Sequence, residues 1–365
     1  MLHSPRPEPP TLRPALARFR ISGELENVVA HHRGHIHDTF ISEWSSSGSL
    51  PSRSRYLHQR MNERVFKDID ALMHNVRVVT SHLAREGHDG LMQTLELVPA
   101  DDGAAFVRDT AGEPWRTYRY VEGTTTHDRC RDTAMAHEAA RAFGDFQARL
   151  VDLDPANLCE TIPLFFSTPY RLEQLEEAIR HDAAARVATV QPELAFIAAR
   201  RDLAFSIEKR LQAKAFPRRA VHGDTKLNNV LFDDRHRARC IVDLDTVMPA
   251  YSLYDFGDLV RFTAATSSED ERDLSKVGTD IELYRALATG YLERAATFLT
   301  PEERTLLPLS ARLVTFTIGL RFLADHLNGD LYFKITRENQ NLDRARVQLR
   351  MVAEMERLEP QMRPA

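Results

Sequence analysis

The densest cluster of polar side chains in the chain is Val221-His222-Gly223-Asp224-Thr225-Lys226-Leu227-Asn228-Asn229, and a second cluster, Val242-Asp243-Leu244-Asp245, follows a short distance on. Between them, Val230-Leu231-Phe232 and Cys240-Ile241-Val242 read as two short strands joined by the polar turn Asp233-Asp234-Arg235-His236-Arg237. A strand–turn–strand brings its two ends together, so Asp224, Asn229 and Asp243 can converge on one small volume. Carboxylates and an amide in that arrangement suit a hard, oxygen-seeking cation such as Mg²⁺, which holds phosphates while keeping some of its waters. That site serves phosphoryl transfer, in which the protein aligns the nucleophile and neutralises charge on the moving group. In such chemistry Asp224 would accept or orient a hydroxyl proton and Lys226 would lean toward the γ-phosphate. Asn229 and Asp243 would hold magnesium against the β- and γ-phosphates. Each residue also has a plain structural use, because Asp and Asn satisfy backbone amides in turns and cap neighbouring elements.

The elements that must position these groups follow from periodicity. Five prolines among the first 14 residues predict an extended tail through about residue 18. The β-type runs Asn27–Ala30, Thr39–Ser42, Arg55–Gln59 and Thr117–Val121 then predict a small antiparallel sheet. A helix over Val65–Leu83, with Leu72, Val76, Val79 and Leu83 on one stripe, should lie across it. This first lobe spans residues 19–123. From residue 124 to 365 long amphipathic helices dominate: one with Ala139, Phe143, Phe146 and Leu150, one through Leu313, Phe316, Leu320, Leu323 and Leu327, and one through Leu342, Ala345, Leu349, Val352 and Met355. The expected class is α+β, with a small β-rich lobe and a larger helical lobe carrying the catalytic loop.

Three stretches in order, His222-Gly223-Asp224-Thr225-Lys226-Leu227-Asn228-Asn229, Ile241-Val242-Asp243-Leu244-Asp245 and Tyr254-Asp255-Phe256-Gly257-Asp258, resemble the catalytic core of the aminoglycoside phosphotransferase and choline kinase superfamily. Within it, Asp224–Asn229 and Asp243-Leu244-Asp245-Thr246-Val247-Met248-Pro249 are most similar to the N-acetylhexosamine 1-kinases. The likeness extends to Gly34-His35-Ile36-His37-Asp38-Thr39-Phe40 and to the stretch from Leu320 to Asp330. The resemblance implies a protein-kinase-like bilobal fold, ATP with Mg²⁺, and transfer to the anomeric hydroxyl of an N-acetylated hexosamine. Carried over residue by residue, it implies a catalytic base at Asp224, a phosphate-contacting lysine at Lys226, and metal ligands at Asn229 and Asp243. Asp245 would bind metal as well or simply fix the loop, and Asp255 would tie the catalytic loop in place. Arg321, Tyr332 and Phe333 fall where the sugar kinases touch substrate. An aromatic face and a guanidinium fork suit a pyranose; alternatively Arg321 pairs with Asp325 at i, i+4. In Pro163-Leu164-Phe165-Phe166 the chain departs from the family, which would place a histidine after the first phenylalanine.

Nucleotide contacts are less marked. Gly34 and His35 lie in a turn that can offer backbone amides to phosphate, without a G-x-G-x-x-G pattern. The third-strand lysine expected of kinases is missing, and Gln59 or Arg60 is the substitute. Tyr120 and Val121, in the connection between lobes, are the candidates for the purine. His31, His32, His35 and His37 read as a solvated phosphate-side loop rather than an imidazole metal site. His222 reads as a buried scaffold for the catalytic loop.

Composition narrows the partners. With 48 Lys and Arg against 53 Asp and Glu, the net charge of −5 leaves no broad cationic surface for nucleic acid. Three scattered cysteines and the absence of a signal-peptide core or a long apolar run predict a cytoplasmic enzyme without a membrane partner. Its partner is a small-molecule sugar, with the oligomeric state left open and a monomer compatible. Competing functions are a same-fold kinase for an aminoglycoside or amino alcohol, and a catalytically silent binding module. Asp224, Lys226, Asn229 and Asp243 occurring together argue against the silent module.

Overall fold

Alternating burial along the early β-type runs builds a sheet with two differently used faces. In the computed structural model, which describes residues 8–31, 36–46, 52–85 and 92–363, helix α1 (Leu12–Leu16) precedes strands β1 (Glu24–His31), β2 (Asp38–Ser46) and β3 (Ser52–Arg60). Helix α2 (Ile69–Arg85) and strands β4 (Leu97–Val98), β5 (Val107–Arg108) and β6 (Pro114–Arg119) complete the first lobe. The sheet is antiparallel in the order β1-β2-β3-β6-β4, with β5 also on β6. Phe40, Trp44, Tyr56 and Trp115 share one face and are covered by Leu12 and Leu16 of α1. The chain from Leu12 is therefore not the extended tail expected to residue 18. Leu12, Ala15 and Leu16 form an i, i+3, i+4 stripe, and Pro14 sits in the first turn, where its missing N–H leaves no helical bond unmade.

The opposite phase of the strands, with Leu57 and Gln59 on β3 and Arg116 and Tyr118 on β6, looks toward α2 and the second lobe. Leu72, Met73, Val76 and Val79 of α2 belong to the same continuous core as Tyr118 on the sheet side and Phe146, Leu150, Leu244 and Val247 beyond it. Buried Asn75 donates Nδ2 to the carbonyls of Val247 (2.9 Å) and Cys159 (2.8 Å) and accepts the Cys159 N–H (2.8 Å), pinning α2 to the second lobe. This helix begins at Ile69 rather than Val65, with Asp68 accepting the Ala71 N–H.

The second lobe contains α3 (Thr133–Ala148), α4 (Thr168–His181), α5 (Gln191–Ala198), α6 (Glu208–Gln212), β7 (Arg219–Val221), β8 (Val230–Phe232), β9 (Ala238–Ile241) and β10 (Met248–Ala250). Helices α7 (Ser252–Thr263), α8 (Ile281–Ala295), α9 (Pro301–Thr305), α10 (Leu307–Leu327) and α11 (Gln340–Met362) follow. Helices α3 and α8 cross closely at Gly290, where a Cβ would lie 2.2 Å from the His137 carbonyl oxygen. Contrary to the reading that no apolar run approaches membrane-spanning length, α10 is long and apolar enough by that measure. Here it is mostly buried against α4, α7 and α11 as the lobe's central helix. β8 and β9 form the expected hairpin. Phe232 exchanges backbone hydrogen bonds with Thr125, so the connection leaving β6 runs directly onto that hairpin.

Candidate active site

Pairing of β7 with β10, Val221 opposite Met248, sets the first polar cluster beside the chain that leaves the second. Gly223 has φ of +82°, and a Cβ there would lie 2.7 Å from the Thr246 carbonyl oxygen, so this turn accepts only glycine without strain. Buried Asp255, in the first turn of α7, accepts the N–H groups of His222 and Gly223, each at 2.8 Å, and Gln147 Nε2 at 2.5 Å. Its own carbonyl accepts the Thr225 hydroxyl at 2.6 Å. One turn on, Asp258 accepts the Thr225 N–H at 3.0 Å and Arg261 Nε at 2.8 Å. His222 is fully buried edge-on to Phe143 and Phe146. It donates Nε2–H to the Val242 carbonyl (2.9 Å) and accepts the Asp224 N–H at Nδ1 (3.3 Å), a tautomer assigned from those partners. The imidazole thus ties the two clusters together.

Around Asp224 the charges are paired. Lys226 Nζ lies 2.8 Å from Asp224 Oδ1 and 3.1 Å from Oδ2, and Asn229 Nδ2 donates to the Asp224 carbonyl at 2.8 Å and to Oδ2 at 3.2 Å. Burial alone would raise the Asp224 carboxyl, but Lys226 holds it below the usual range. The Asn229 carbonyl accepts the Val242 N–H at 2.9 Å, which brings Asn229 beside Asp243. Asp243 adopts a left-handed backbone, φ 62°, at the start of the 3-10 turn Leu244–Thr246, where its side chain makes no capping bond, and among the described residues no side chain donates to its carboxylate. Desolvation by the surrounding protein, with like charge from Asp245 and Asp224, pushes the Asp243 carboxyl up to about 7. A carboxyl so raised and unmatched suits a cation. Among the described residues no three His, Cys, Asp or Glu side chains are grouped to hold a metal by themselves. The donor set on offer is one carboxylate and one amide oxygen, with room in the coordination for phosphate and water, which is the chemistry of Mg²⁺ rather than of a closed protein cage.

Asp245 is used differently. Arg116 grips both of its oxygens, Nη1 on Oδ1 and Nη2 on Oδ2 at 3.0 Å, and His37 Nε2 lies 2.5 Å from Oδ2. Burial would raise this carboxyl, yet Arg116 and His37 hold it well below the carboxylate range. With both oxygens occupied, Asp245 is placed to fix the loop beside Asp243 rather than to face a metal. His37 also accepts the Asn62 N–H at Nδ1 (3.1 Å), and its side chain is only 5% exposed, so it is not part of a solvated loop.

The two candidates for the missing lysine separate by strand phase. Arg60 shares its phase with Tyr56 and His58 on the face away from α2 and pairs with Asp38. Gln59 faces inward and accepts Arg116 Nε at 2.9 Å from the directly opposite position on β6. The inward cation is therefore Arg116, which neither candidate anticipated. Its only sequence signal is a charged residue at the inward phase of a strand, two before buried Tyr118. β6 ends at Arg119, so Tyr120 and Val121 lie in the connection: the Tyr120 N–H bonds to the Arg55 carbonyl (3.0 Å), and the Val121 carbonyl accepts the Thr124 hydroxyl (2.8 Å). Gly34, His35 and His32 lie outside the described residues.

Arg321, Tyr332 and Phe333 do come together. The Arg321 guanidinium lies 5.2, 5.6 and 5.4 Å from the rings of Phe165, Tyr332 and Phe333 and donates to the Tyr332 hydroxyl at 3.4 Å. The alternative pairing of Arg321 with Asp325 is not made. Asp325 instead accepts the N–H groups of Leu331 (3.0 Å), Tyr332 (2.8 Å) and Phe333 (2.9 Å), together with Asn341 Nδ2 (2.9 Å). That leaves Tyr332 66% exposed at the rim. Phe166, next to Phe165, stacks on Tyr254, and its Cζ lies 3.1 Å from where a Gly223 Cβ would stand, so this loop joins the catalytic turn to Arg321.

Solved structures share this architecture over nearly the whole chain. An aminoglycoside phosphotransferase from Alicyclobacillus acidocaldarius is 14% identical with a TM-score of 0.64, covering 99% of this chain and 98% of its own. A microcompartment-associated aminopropanol kinase is 17% identical with a TM-score of 0.59, over 97% and 98%. A choline kinase from Streptococcus pneumoniae is 14% identical with a TM-score of 0.50, over 90% and 94%. At these identities the likeness establishes the kinase-like bilobal fold. A family description, the APH phosphotransferase enzyme family, matches residues 55–299, from β3 through both polar clusters to just beyond α8. On that match, which takes in most of the chain and both polar clusters, the protein belongs to the APH phosphotransferase family.

Proposed function

We propose that this phosphotransferase moves the γ-phosphate of ATP, with Mg²⁺, to the anomeric hydroxyl of an N-acetylhexosamine, giving the 1-phosphate. The observation that carries the reading is the geometry at Asp224: a carboxylate kept ionised by Lys226 at 2.8 Å, oriented by Asn229, and set beside the unmatched carboxylate of Asp243. Asp224 would orient the acceptor hydroxyl and take its proton. Lys226, already drawn to Asp224, would meet the γ-phosphate from the same side. Asn229 Oδ1 and Asp243 would hold magnesium, which when bound neutralises charge on the β- and γ-phosphates. Asp245, locked by Arg116 and His37, would keep Asp243 in its left-handed conformation. On the far side of the Phe165-Phe166 loop, Tyr332 and Phe333 would supply aromatic faces for the apolar side of a pyranose, and Arg321 would supply donors for its oxygens. Tyr120 and Val121, together with Gly34 and His35, stand as the proposed nucleotide contacts.

Incubation with ATP, Mg²⁺ and a panel of free sugars, aminoglycosides, choline and amino alcohols, with ADP release as the readout, tests the acceptor. GlcNAc or GalNAc should be the best acceptor, and phosphorus–proton correlation on the product should show coupling to the anomeric proton. Coupling to the C6 protons would overturn the 1-kinase reading while leaving the phosphotransferase intact. Turnover confined to choline, an amino alcohol or an aminoglycoside would replace the sugar by the acceptor classes named for the solved relatives.

A further inference from the structure

Two guanidinium groups on the acceptor side have no carboxylate partner among the described residues. Arg321 bonds only to the Tyr332 hydroxyl and otherwise lies against aromatic rings. Arg171 on α4 is 9% exposed; it donates Nη1 to Gln174 Oε1 at 2.7 Å and Nη2 to the Phe165 carbonyl at 3.4 Å, and its Nε is buried without a partner. Phe165 joins the two, its carbonyl on Arg171 and its ring on Arg321, and Phe166 continues to the turn that carries Asp224. The acids on this side are already matched, and the unmatched carboxylate, Asp243, lies beyond Asp224 at the metal position proposed above. Asp224 is paired with Lys226, Asp258 with Arg261 and the Thr225 N–H, and Asp325 with backbone amides and Asn341. Burial first, and then the charge of Arg321, lowers Arg171 to about 10, and burial lowers Arg321 as well. A guanidinium stays protonated in proteins at neutral pH, so the acceptor wall carries surplus positive charge.

We propose that Arg171 and Arg321 form a charge filter for the acceptor, admitting hydroxyl compounds with neutral carbonyl or anionic substituents and rejecting those with an ammonium group. The filter builds on the function proposed above and gives it a reason: acylation removes the ammonium of an amino sugar and offers a carbonyl oxygen to a guanidinium donor. A cation brought into the same partly desolvated wall meets like charge with no acid to receive it. Arg321 would touch the acceptor. Arg171 is a positioning residue, acting through the Phe165 loop and through its charge.

The test compares GlcNAc with glucosamine, which share a ring and differ at one nitrogen. An amine of this type titrates near pH 8, so between pH 6.5 and 8.5 its neutral fraction rises more than about tenfold. In the wild-type protein, kcat/KM for glucosamine relative to GlcNAc should rise by a similar factor over that interval, since effects of pH on the enzyme cancel in the ratio. R171Q and R321Q should flatten the rise and narrow the preference at pH 6.5, while R171K should retain both. Should R171Q fail to fold, the wild-type ratio decides alone. A ratio independent of pH, or glucosamine, choline or an aminoglycoside turned over at pH 6.5 as well as GlcNAc, overturns the filter. If N-acetylhexosamines are inert but glucose or glucuronate is phosphorylated and glucosamine is not, the filter stands and the hexosamine reading falls.

Discussion

At the scale of single residues, Asp224 and Asp243 are both crowded carboxylates with opposite environments. Lys226 and Asn229 stabilise the charge on Asp224, whereas Asp243 faces Asp224 and Asp245 and, among the described residues, no cation bonds to it directly, Arg116 acting only at longer range. On the function proposed above, the contrast separates an orienting base from a metal ligand. Asp224→Asn keeps the size and the Lys226 contact but removes proton acceptance, so turnover should fall by about 10²–10⁴-fold with nucleotide binding retained. Near-wild-type turnover with the best acceptor would remove Asp224 from that role. Asp243→Ala should instead weaken Mg·ATP binding most, leaving acceptor binding intact, as followed by titration calorimetry with each ligand. Unchanged Mg·ATP affinity and rate would place the metal ligand elsewhere.

Among elements, the rim between α10 and α11 shows how one buried side chain can shape a surface. Asp325 gathers three consecutive N–H groups and an amide, so the backbone of Leu331-Tyr332-Phe333 is held although Leu331 and Tyr332 project into solvent. Asp325→Asn replaces charge-assisted bonds, worth about 1.5–3 kcal/mol each, by weaker ones and turns a donor toward backbone donors. The acceptor KM should rise by roughly tenfold with the ATP KM unchanged, because only the acceptor-side rim loosens. Steady-state kinetics with each substrate varied in turn checks this; an equal rise in both constants would mean that Asp325 supports the whole lobe.

For the molecule as a whole, the Arg116–Asp245 pair joins the sheet to the catalytic loop across buried space, with both side chains under 5% exposed. Breaking a buried pair leaves an uncompensated charge, so Arg116→Gln should cost about 3–5 kcal/mol of stability, read from urea unfolding. A loss below about 1 kcal/mol would make the pair peripheral. The pH dependence of folding has a separate source in His58, fully buried between Ser42 and Thr117 and pushed down to about 3 by desolvation. The unfolded chain protonates this residue below about 6.5 while the folded protein does not, so stability should fall as pH drops from there toward 3. The slope is about 1.4 kcal/mol per pH unit. His58→Gln should remove one proton's worth of that slope in unfolding curves at pH 7, 6 and 5; identical slopes would contradict a neutral buried imidazole.

Much of this was legible in the amino-acid order because it is periodic or contiguous. Alternation exposed β1, β2, β3 and β6, helical stripes exposed α2, α3, α10 and α11, and the hairpin between the two polar clusters foretold that Asp224, Asn229 and Asp243 would meet. Short range is what made these visible: a strand phase, a helical face or a turn is set by neighbours within a few residues. The α1 plug was hidden because proline content outweighed a three-residue apolar stripe. Only tertiary structure could show that Gln59 faces inward, Arg60 outward, and that Arg116 on the neighbouring strand is an inward cation, since a one-residue change of phase moves a side chain to the other face of a sheet. The partner of Asp245 likewise came from a strand 129 residues away, and Arg171 and Arg321 came to share Phe165 only once α4 and α10 had packed. Charge pairing in a site depends on which groups burial leaves without water, and that is a property of the folded surface rather than of spacing along the chain.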